Sequence, residues 1–326
     1  MPSSIREELL AVFNNEKETY ISGQMLSEKL NCTRTAIWKH IEELRNEGYV
    51  IEAVQKRGYR MTGRPDKLSS DVVKRNLTTN KIGQNIHFYE TTPSTQRIAH
   101  LLAQQGKPEG TVVFAEEQTE GKGRLDRSWH SPVGAGIWMS IILRPNLPPQ
   151  HAPQLTLLAA VAIVRAIESE LNITCEIKWP NDILINGKKA VGILTELHAE
   201  ADRINSVIVG IGINVNTTKE EFPSELQHLA TSLSLEKGGD KIDRASLARV
   251  IFESLEEMYE KYLEHGFTFI KLLWESYSVS IGKQIIARTI SGEIRGYARG
   301  ITDEGVLMIE ESDGKIQYIH SADIEL

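Results

Sequence analysis

The sequence predicts an α+β multidomain protein: a small helical N-terminal domain closed by a hairpin, a central mixed α/β domain, and a small C-terminal β-barrel. Three observations predict it. Helix-period apolar patterns occupy the first 50 residues and are followed by two short strand patterns. Strand runs and two long helical runs are mixed through the centre, and beyond residue 280 only short strands broken by Gly-containing turns remain. The domain limits expected from this pattern are 1–64, a linker at 65–82, 83–279 and 280–326. The linker follows Thr62-Gly-Arg-Pro-Asp-Lys, where a glycine and a proline separate two periodic regions.

Bulk properties narrow the class. No apolar run approaches the roughly 18 residues of a membrane span, and the charged start MPSSIREELL lacks a signal core, so the cytoplasm is the expected location and no membrane partner is expected. Cys32 and Cys175 stand far apart without histidines at ligand spacing, which argues against a disulfide framework and a zinc site. The net charge of −7 is uneven. Residues 1–64 hold ten Lys and Arg against nine Asp and Glu, while the remainder holds 27 against 35. Four cations and no acid fall in residues 55–64, QKRGYRMTGR, a local basic tract of the kind that contact with nucleic acid requires.

Taken in chain order, Ile5, Leu9, Val12 and Phe13 describe one helix face. Ser22 can cap a second helix through Leu26 to Leu30, and Asn31-Cys32 leaves room only for a tight reversal before Thr33 caps a third. That third helix points Ile37, Ile41 and Leu44 inward and Arg34, Thr35 and Lys39 outward, and stops at Gly48. Trp38 is expected in the core or at an interface. Tyr49-Val-Ile-Glu, the turn Lys56-Arg57-Gly58 and Tyr59-Arg-Met read as strand, tip and returning strand. The whole resembles the winged helix-turn-helix of bacterial transcription factors, with Arg34, Thr35, Lys39, Lys56 and Arg57 as the expected DNA-contacting residues.

In the centre, residues 87–90, 111–117, 137–144 and 206–215 read as strands and residues 153–171 and 243–263 as helices. Asn186-Gly187 predicts a two-residue hairpin turn between strands at 182–185 and 188–196. Two segments hold the chemistry. The first runs GKGRLDRSWHSP over residues 121–132; the second runs KWPNDI from residue 178, followed by KKAVGIL from residue 188. The first is not a phosphate-binding P-loop, because Gly follows Gly121-Lys122, and Gly210-Ile-Gly212 is not a dinucleotide fingerprint, because position 215 is valine. The loop carries Lys122, Arg124 and Arg127 with little apolar content, and is expected to be mobile until an anionic ligand orders it.

These two segments, with Ser94-Thr95, AEEQ ending at Gln118 and GIGINV from Gly210, resemble those of biotin protein ligases over residues 83–326. With the winged N-terminus added, the chain resembles the bifunctional ligases that are also biotin-operon repressors. It departs from many relatives at Leu125-Asp126, where they carry Arg-Gly, and at Gln96, where Asn is common. The resemblance implies a central biotin ligase fold and an SH3-like C-terminal barrel. It implies ATP and biotin as substrates, biotinyl-5′-AMP as intermediate and corepressor, and a lysine of a biotin carboxyl carrier protein domain as acceptor. It also implies operator DNA as a partner and a homodimer on adenylate or DNA binding.

Biotin carboxylate and ATP α-phosphate are both anionic, so cations must offset their repulsion. Lys189 is expected to bridge the two, Arg124 and Lys122 to contact phosphate or carboxylate, and Asp182 to hold Mg²⁺ or orient the acceptor lysine. Ser94, Thr95 and Gln118 suit the ureido ring. Trp129 is expected over the adenine and Asn181 and Asn214 on the nucleotide, while Gly192, Gly210 and Gly212 permit close approach of backbone. A lipoate ligase and a catalytically inactive ligand-sensing repressor are the rival readings. The first is opposed by the GKGR and KWPND segments, the second by Lys122, Arg124, Asp182 and Lys189 occurring together.

Overall fold

The structure, a computed structural model, describes residues 5–16, 19–46, 49–63, 68–199 and 204–325. It divides into two compact units, Met1–Asp66 and Lys67–Leu326.

The first unit contains α1 (Ile5–Asn15), α2 (Gly23–Lys29), α3 (Arg34–Asn46) and the antiparallel pair β1 (Val50–Val54) and β2 (Gly58–Gly63). Both expected caps form: the Ser22 hydroxyl accepts the Met25 N–H at 3.1 Å and the Thr33 hydroxyl accepts the Ala36 N–H at 3.2 Å. Leu9, Phe13, Leu26, Ile37, Ile41, Leu44 and Ile51 form a core of their own. Gly48, the expected helix stop, and Arg64 of the basic tract lie outside the described residues. Trp38 is not in this core; it is 55% exposed. Ile37 takes the core seat, and its neighbour lies about 100° further round the helix.

The second unit is built on a seven-stranded sheet in the order β3-β4-β5-β9-β8-β7-β6. Its strands are β3 (Ile86–Thr92), β4 (Val112–Gln118), β5 (Gly136–Leu143), β6 (Glu176–Lys178), β7 (Asp182–Ile185), β8 (Lys188–Ala199) and β9 (Ile204–Asn214). Among the described residues β3 and β4 are the one parallel pair of strands in this sheet. Its helices are α4 (Ser70–Lys74), α5 (Thr95–Gln104), α6 (Ala152–Leu171), the single turn α7 (Leu233–Glu236), α8 (Arg244–His265) and α9 (Thr268–Tyr277). Asn186 and Gly187 have φ of 50° and 75°, so the predicted hairpin turn forms with both central residues left-handed.

Alternation along the strands sends side chains to two different cores. Val112, Phe114, Ile137, Met139 and Ile141 pack with α6 and α8 on one face, while Val113, Ile142 and Ile208 meet Ala99 and Leu102 of α5 on the other. On β8 and β9, Val191, Ile193, Val209, Ile211 and Ile213 enter the large core. The intervening positions on the α5 face are Gly192, Gly210 and Gly212. The sheet is therefore bare of side chains there, and a cavity can form beyond the end of α5.

A buried ion pair ties the helical layer to the sheet. Arg244, fully buried at the start of α8, donates to Glu116 of β4 at 2.8 and 3.2 Å and to the Gly136 carbonyl at 2.9 Å. Part of the expected linker belongs to this unit: Leu68, Val73 and Ile82 are buried in its core, and the Glu256 carboxylate accepts the N–H groups of Asn80, Lys81 and Ile82 at 2.6 to 2.9 Å.

The C-terminal strands β10 (Gln284–Thr289), β11 (Gly292–Ile301), β12 (Leu307–Glu310), β13 (Ile316–Ile319) and β14 (Asp323–Glu325) pair antiparallel in the order β13-β12-β11-β10-β14. The expected SH3-like barrel is not closed. Among the described residues β13 and β14 stay at opposite edges, because the three residues of β14 pair only with β10. Ile285, Ala287, Leu307 and Ile324 merge with the central core, so these strands extend the second unit and do not form a third compact one.

Candidate functional site

The cavity over the glycine-bare patch measures about 530 Å³. Ser94, Thr95, Gln118, Lys122, Arg124, Trp129, Asn181, Asp182, Lys189, Gly192, Gly210, Gly212 and Asn214 all line it. Residues drawn from five separate stretches of chain thus converge on one volume, within the range of small-molecule sites.

A polar network forms one part. Thr95 donates through its backbone N–H and its hydroxyl to Gln118 Oε1 at 2.9 and 3.0 Å, and Gln118 Nε2 donates to Ser131 at 3.0 Å. The Thr95 and Ser140 hydroxyls lie 2.9 Å apart, and Ser140 donates to Gln96 Oε1 at 2.9 Å. The Gln96 amide donates in turn to the Leu194 and Ile208 carbonyls of β8 and β9. Ser94 stands at the N-cap of α5 without a side-chain capping bond, so the helix does not consume its hydroxyl. Sequence reasoning marked Gln96 only as a departure; its burial at 6% exposure and its three bonds make it part of this network.

A charged part adjoins it. Lys189 Nζ lies 2.7 Å from Asp182 Oδ1 and 5.1 Å from the centre of the Trp129 ring. The Lys189–Asp182 pair is close but not aligned as a hydrogen bond, and Asp182 Oδ1 is buried without another partner. Trp129 lies flat against the strands: a Cβ on Gly212 would stand 2.4 Å from its Nε1, and one on Gly192 2.7 Å from its Cζ3. Gly192 and Gly212 are cross-strand partners, so one indole spans both. Asn181 donates to the Ile193 carbonyl at 2.8 Å and Asn214 to the Thr231 carbonyl at 3.1 Å.

The 121–132 segment is itself a small hairpin. Trp129 N–H reaches the Gly121 carbonyl at 2.8 Å and Gly123 N–H the Arg127 carbonyl at 2.7 Å. Leu125 and Asp126 at its tip both have φ of 55°, a left-handed conformation that costs residues other than glycine. The segment, expected to be mobile until an anionic ligand orders it, contacts residues of the C-terminal region. Arg124 donates to Asn181 Oδ1 at 3.0 Å and to Ser321 at 2.7 Å, and Arg127 is ion-paired with Asp323. Burial draws the Arg124 guanidinium below its ordinary pKa, while Asp323 and Asp182 oppose the shift.

Sequence reasoning missed the apolar rim Phe222, Leu226 and Leu229, and the contribution of Asp323 and Glu325. The first arrives through a segment of irregular backbone that pairs with β8, where Lys189 N–H meets the Leu229 carbonyl at 2.9 Å. No periodicity advertises such a contact. Among the described residues no group of three His, Cys, Asp or Glu is poised to hold a metal. A lone carboxylate still suits Mg²⁺, which protein side chains bind through one or two carboxylates together with substrate phosphates.

In the first unit, Arg34, Thr35 and Lys56 line a single groove between α2, α3 and the β1–β2 hairpin. Two expected members are absent from it. Lys39 is exposed on α3 about 140° round from Arg34, and Arg57 stacks on the Tyr20 ring at 5.2 Å.

Comparisons with known proteins match three regions of the chain. Residues 88–214 match the model of the biotin/lipoate A/B protein ligase family, residues 6–60 an HTH domain, and residues 280–326 the biotin protein ligase C-terminal domain. The chain is 54% identical over 326 residues to the bifunctional ligase/repressor BirA of Bacillus subtilis (strain 168), covering 100% of both chains. It is 28% identical to the Escherichia coli (strain K12) protein of the same name, over 98% of this chain and 96% of the other. The fold resembles that of the Aquifex aeolicus biotin protein ligase solved in complex with biotin and ATP, with a TM-score of 0.64 and 30% identity over 74% of this chain and 98% of that one. No helix among the described residues is long and apolar enough to cross a membrane.

Proposed function

The chain belongs to the biotin protein ligase family, and from that premise we propose that it activates biotin with ATP, transfers it to a lysine of a biotin carboxyl carrier protein domain, and represses transcription through its N-terminal unit. The observation that carries the ligase reading is the single cavity, where a hydrogen-bonding network adjoins a cluster of cations.

In the first step a carboxylate oxygen of biotin forms a bond to the α-phosphorus of ATP, and pyrophosphate departs. In the second the neutral amine of the acceptor lysine attacks the acyl carbon and AMP departs. Neither step needs a protein nucleophile; positioning and electrostatics suffice. Ser94, Thr95 and Gln118 bind the ureido ring in this reading, and the apolar rim receives the alkyl chain. Lys189 offsets the charge of carboxylate and α-phosphate, with Arg124 and Lys122 on the same anions. Trp129 covers the adenine, and Asn181 and Asn214 contact the nucleotide. Asp182 holds Lys189 in place, and its buried oxygen fits a Mg²⁺ that would screen the pyrophosphate. The acceptor amine, ordinarily near pKa 10.4, loses its proton before attack, and in this reading Asp182 orients it.

Arg34, Thr35, Lys39, Lys56 and Arg57 contact operator DNA in the repressor reading. Biotinyl-5′-AMP acts as corepressor by favouring a homodimer, which requires that it bind the dimerising conformation more tightly. The Arg124 and Arg127 contacts to the C-terminal strands supply an element that the adenylate can bias. The protein works in the cytoplasm. Pyrophosphate release that requires biotin and is not supported by lipoate tests the ligase reading, and release with lipoate alone overturns it. Sedimentation with and without biotin plus ATP tests the coupling: association should increase with both, and an unchanged state refutes it.

A further inference from the structure

The groove in the first unit has a volume of about 860 Å³ and carries the cations Arg34 and Lys56 with no acidic residue in its lining. Trp38 lies in the same lining, 55% exposed and one helical turn beyond Arg34. The acid on the next turn, Glu42, is held by Arg45 at 2.6 Å. At 55% exposure this indole leaves apolar surface in water that contact with a partner would remove. The charge around this one suits a polyanion.

Within DNA the partner for such a side chain is narrowly defined. Arg34 and Lys56 are matched to phosphates or to guanine acceptors, but tryptophan brings one N–H donor, no acceptor and a broad apolar face. The apolar feature that a major groove displays is the C5-methyl of thymine. We propose, resting on the DNA-binding reading above, that Trp38 is a sequence-reading residue of this chain and packs its indole against a thymine methyl. Arg34 and Lys56 then anchor the helix and hairpin through charge, and Trp38 supplies discrimination that charge cannot give.

The test uses the full chain with biotin and ATP and the tightest duplex it selects from a random-sequence pool. Each thymine is replaced in turn by deoxyuridine, which deletes one methyl. For the wild type, one or two replacements should weaken binding by about 4-fold, the value of one buried methyl group. In Trp38→Ala those replacements should cost less than 2-fold, while the salt dependence of binding and the ligase activity stay as in wild type. Trp38→Phe should keep the methyl dependence, whereas Arg34→Ala should lower the salt slope by about one. Equal methyl dependence in wild type and Trp38→Ala overturns the proposal and leaves the DNA reading standing. So does a Trp38→Ala variant whose self-association changes while its DNA affinity does not. A wild type that selects no duplex removes the DNA reading and this proposal with it.

Discussion

Replacing Gly212 by alanine tests the platform on which Trp129 rests. The new Cβ would stand 2.4 Å from Trp129 Nε1, 2.5 Å from Cε2 and 3.0 Å from Cζ2. Optimal contact between such atoms is about 3.5 to 4.0 Å, so the indole must withdraw by roughly an ångström. It cannot do so alone. Its backbone is bonded to Gly121, its edge abuts Trp138 at 6.5 Å between centroids, and Lys189 Nζ sits 5.1 Å above it. A displacement of about 1 Å in a positioning element costs on the order of 100-fold. The expected result is therefore a fall of about that size in kcat/KM for ATP, measured as biotin-dependent pyrophosphate release. Gly192→Ala, whose Cβ meets Trp129 at 2.7 Å, should show a smaller loss in the same direction. Wild-type kcat/KM for ATP in Gly212→Ala would refute the placement of Trp129 against the nucleotide.

Lys189→Ala removes a cation at the developing negative centre and should cut adenylate formation by about 10² to 10³, with the fold unchanged by circular dichroism; near wild-type pyrophosphate release contradicts the assignment. Arg244→Met leaves Glu116 buried against a vacated partner and should destabilise the chain by about 3 to 5 kcal/mol in urea unfolding. A loss below 1 kcal/mol would mean that the carboxylate finds another partner. Burial pushes the Cys175 thiol up to about 12, so it should resist iodoacetamide at pH 8 until urea exposes it. Because the folded pKa lies above the unfolded value near 9, the stability tied to this neutral thiol is complete below pH 9 and declines as pH rises towards 12. Rapid alkylation of the native chain at Cys175 argues against that burial.

The legible parts of the fold were those written in local periodicity. Ser22 and Thr33 cap the helices they were expected to cap, Asn186-Gly187 turns the hairpin, and alternation on β8 and β9 buries Val191, Ile193, Ile211 and Ile213. The candidate site was legible as residue types, because opposed anions demand cations and close approach demands glycine. Its assembly was not. Arg124 meets Ser321 across 197 positions, Thr95 meets Gln118 through a helix whose short pattern went unread, and Phe222 arrives on irregular backbone. Such pairings follow from the sheet order and leave no local trace. Of the two places expected for Trp38, core or interface, the structure excludes the core: helical spacing says which residues share a face, and Ile37 occupies the core seat.

In the proposed reaction one cavity makes an activated biotin and hands it to a lysine. The most direct measurement is a two-stage turnover. The chain is incubated with radiolabelled biotin and ATP, freed of unbound nucleotide, and then mixed with an apo carrier domain in the absence of ATP. Label retained by the chain should move to the carrier lysine in one turnover, with AMP released in equal amount. Label that stays on the chain, or transfer that requires fresh ATP, would contradict the proposed reaction.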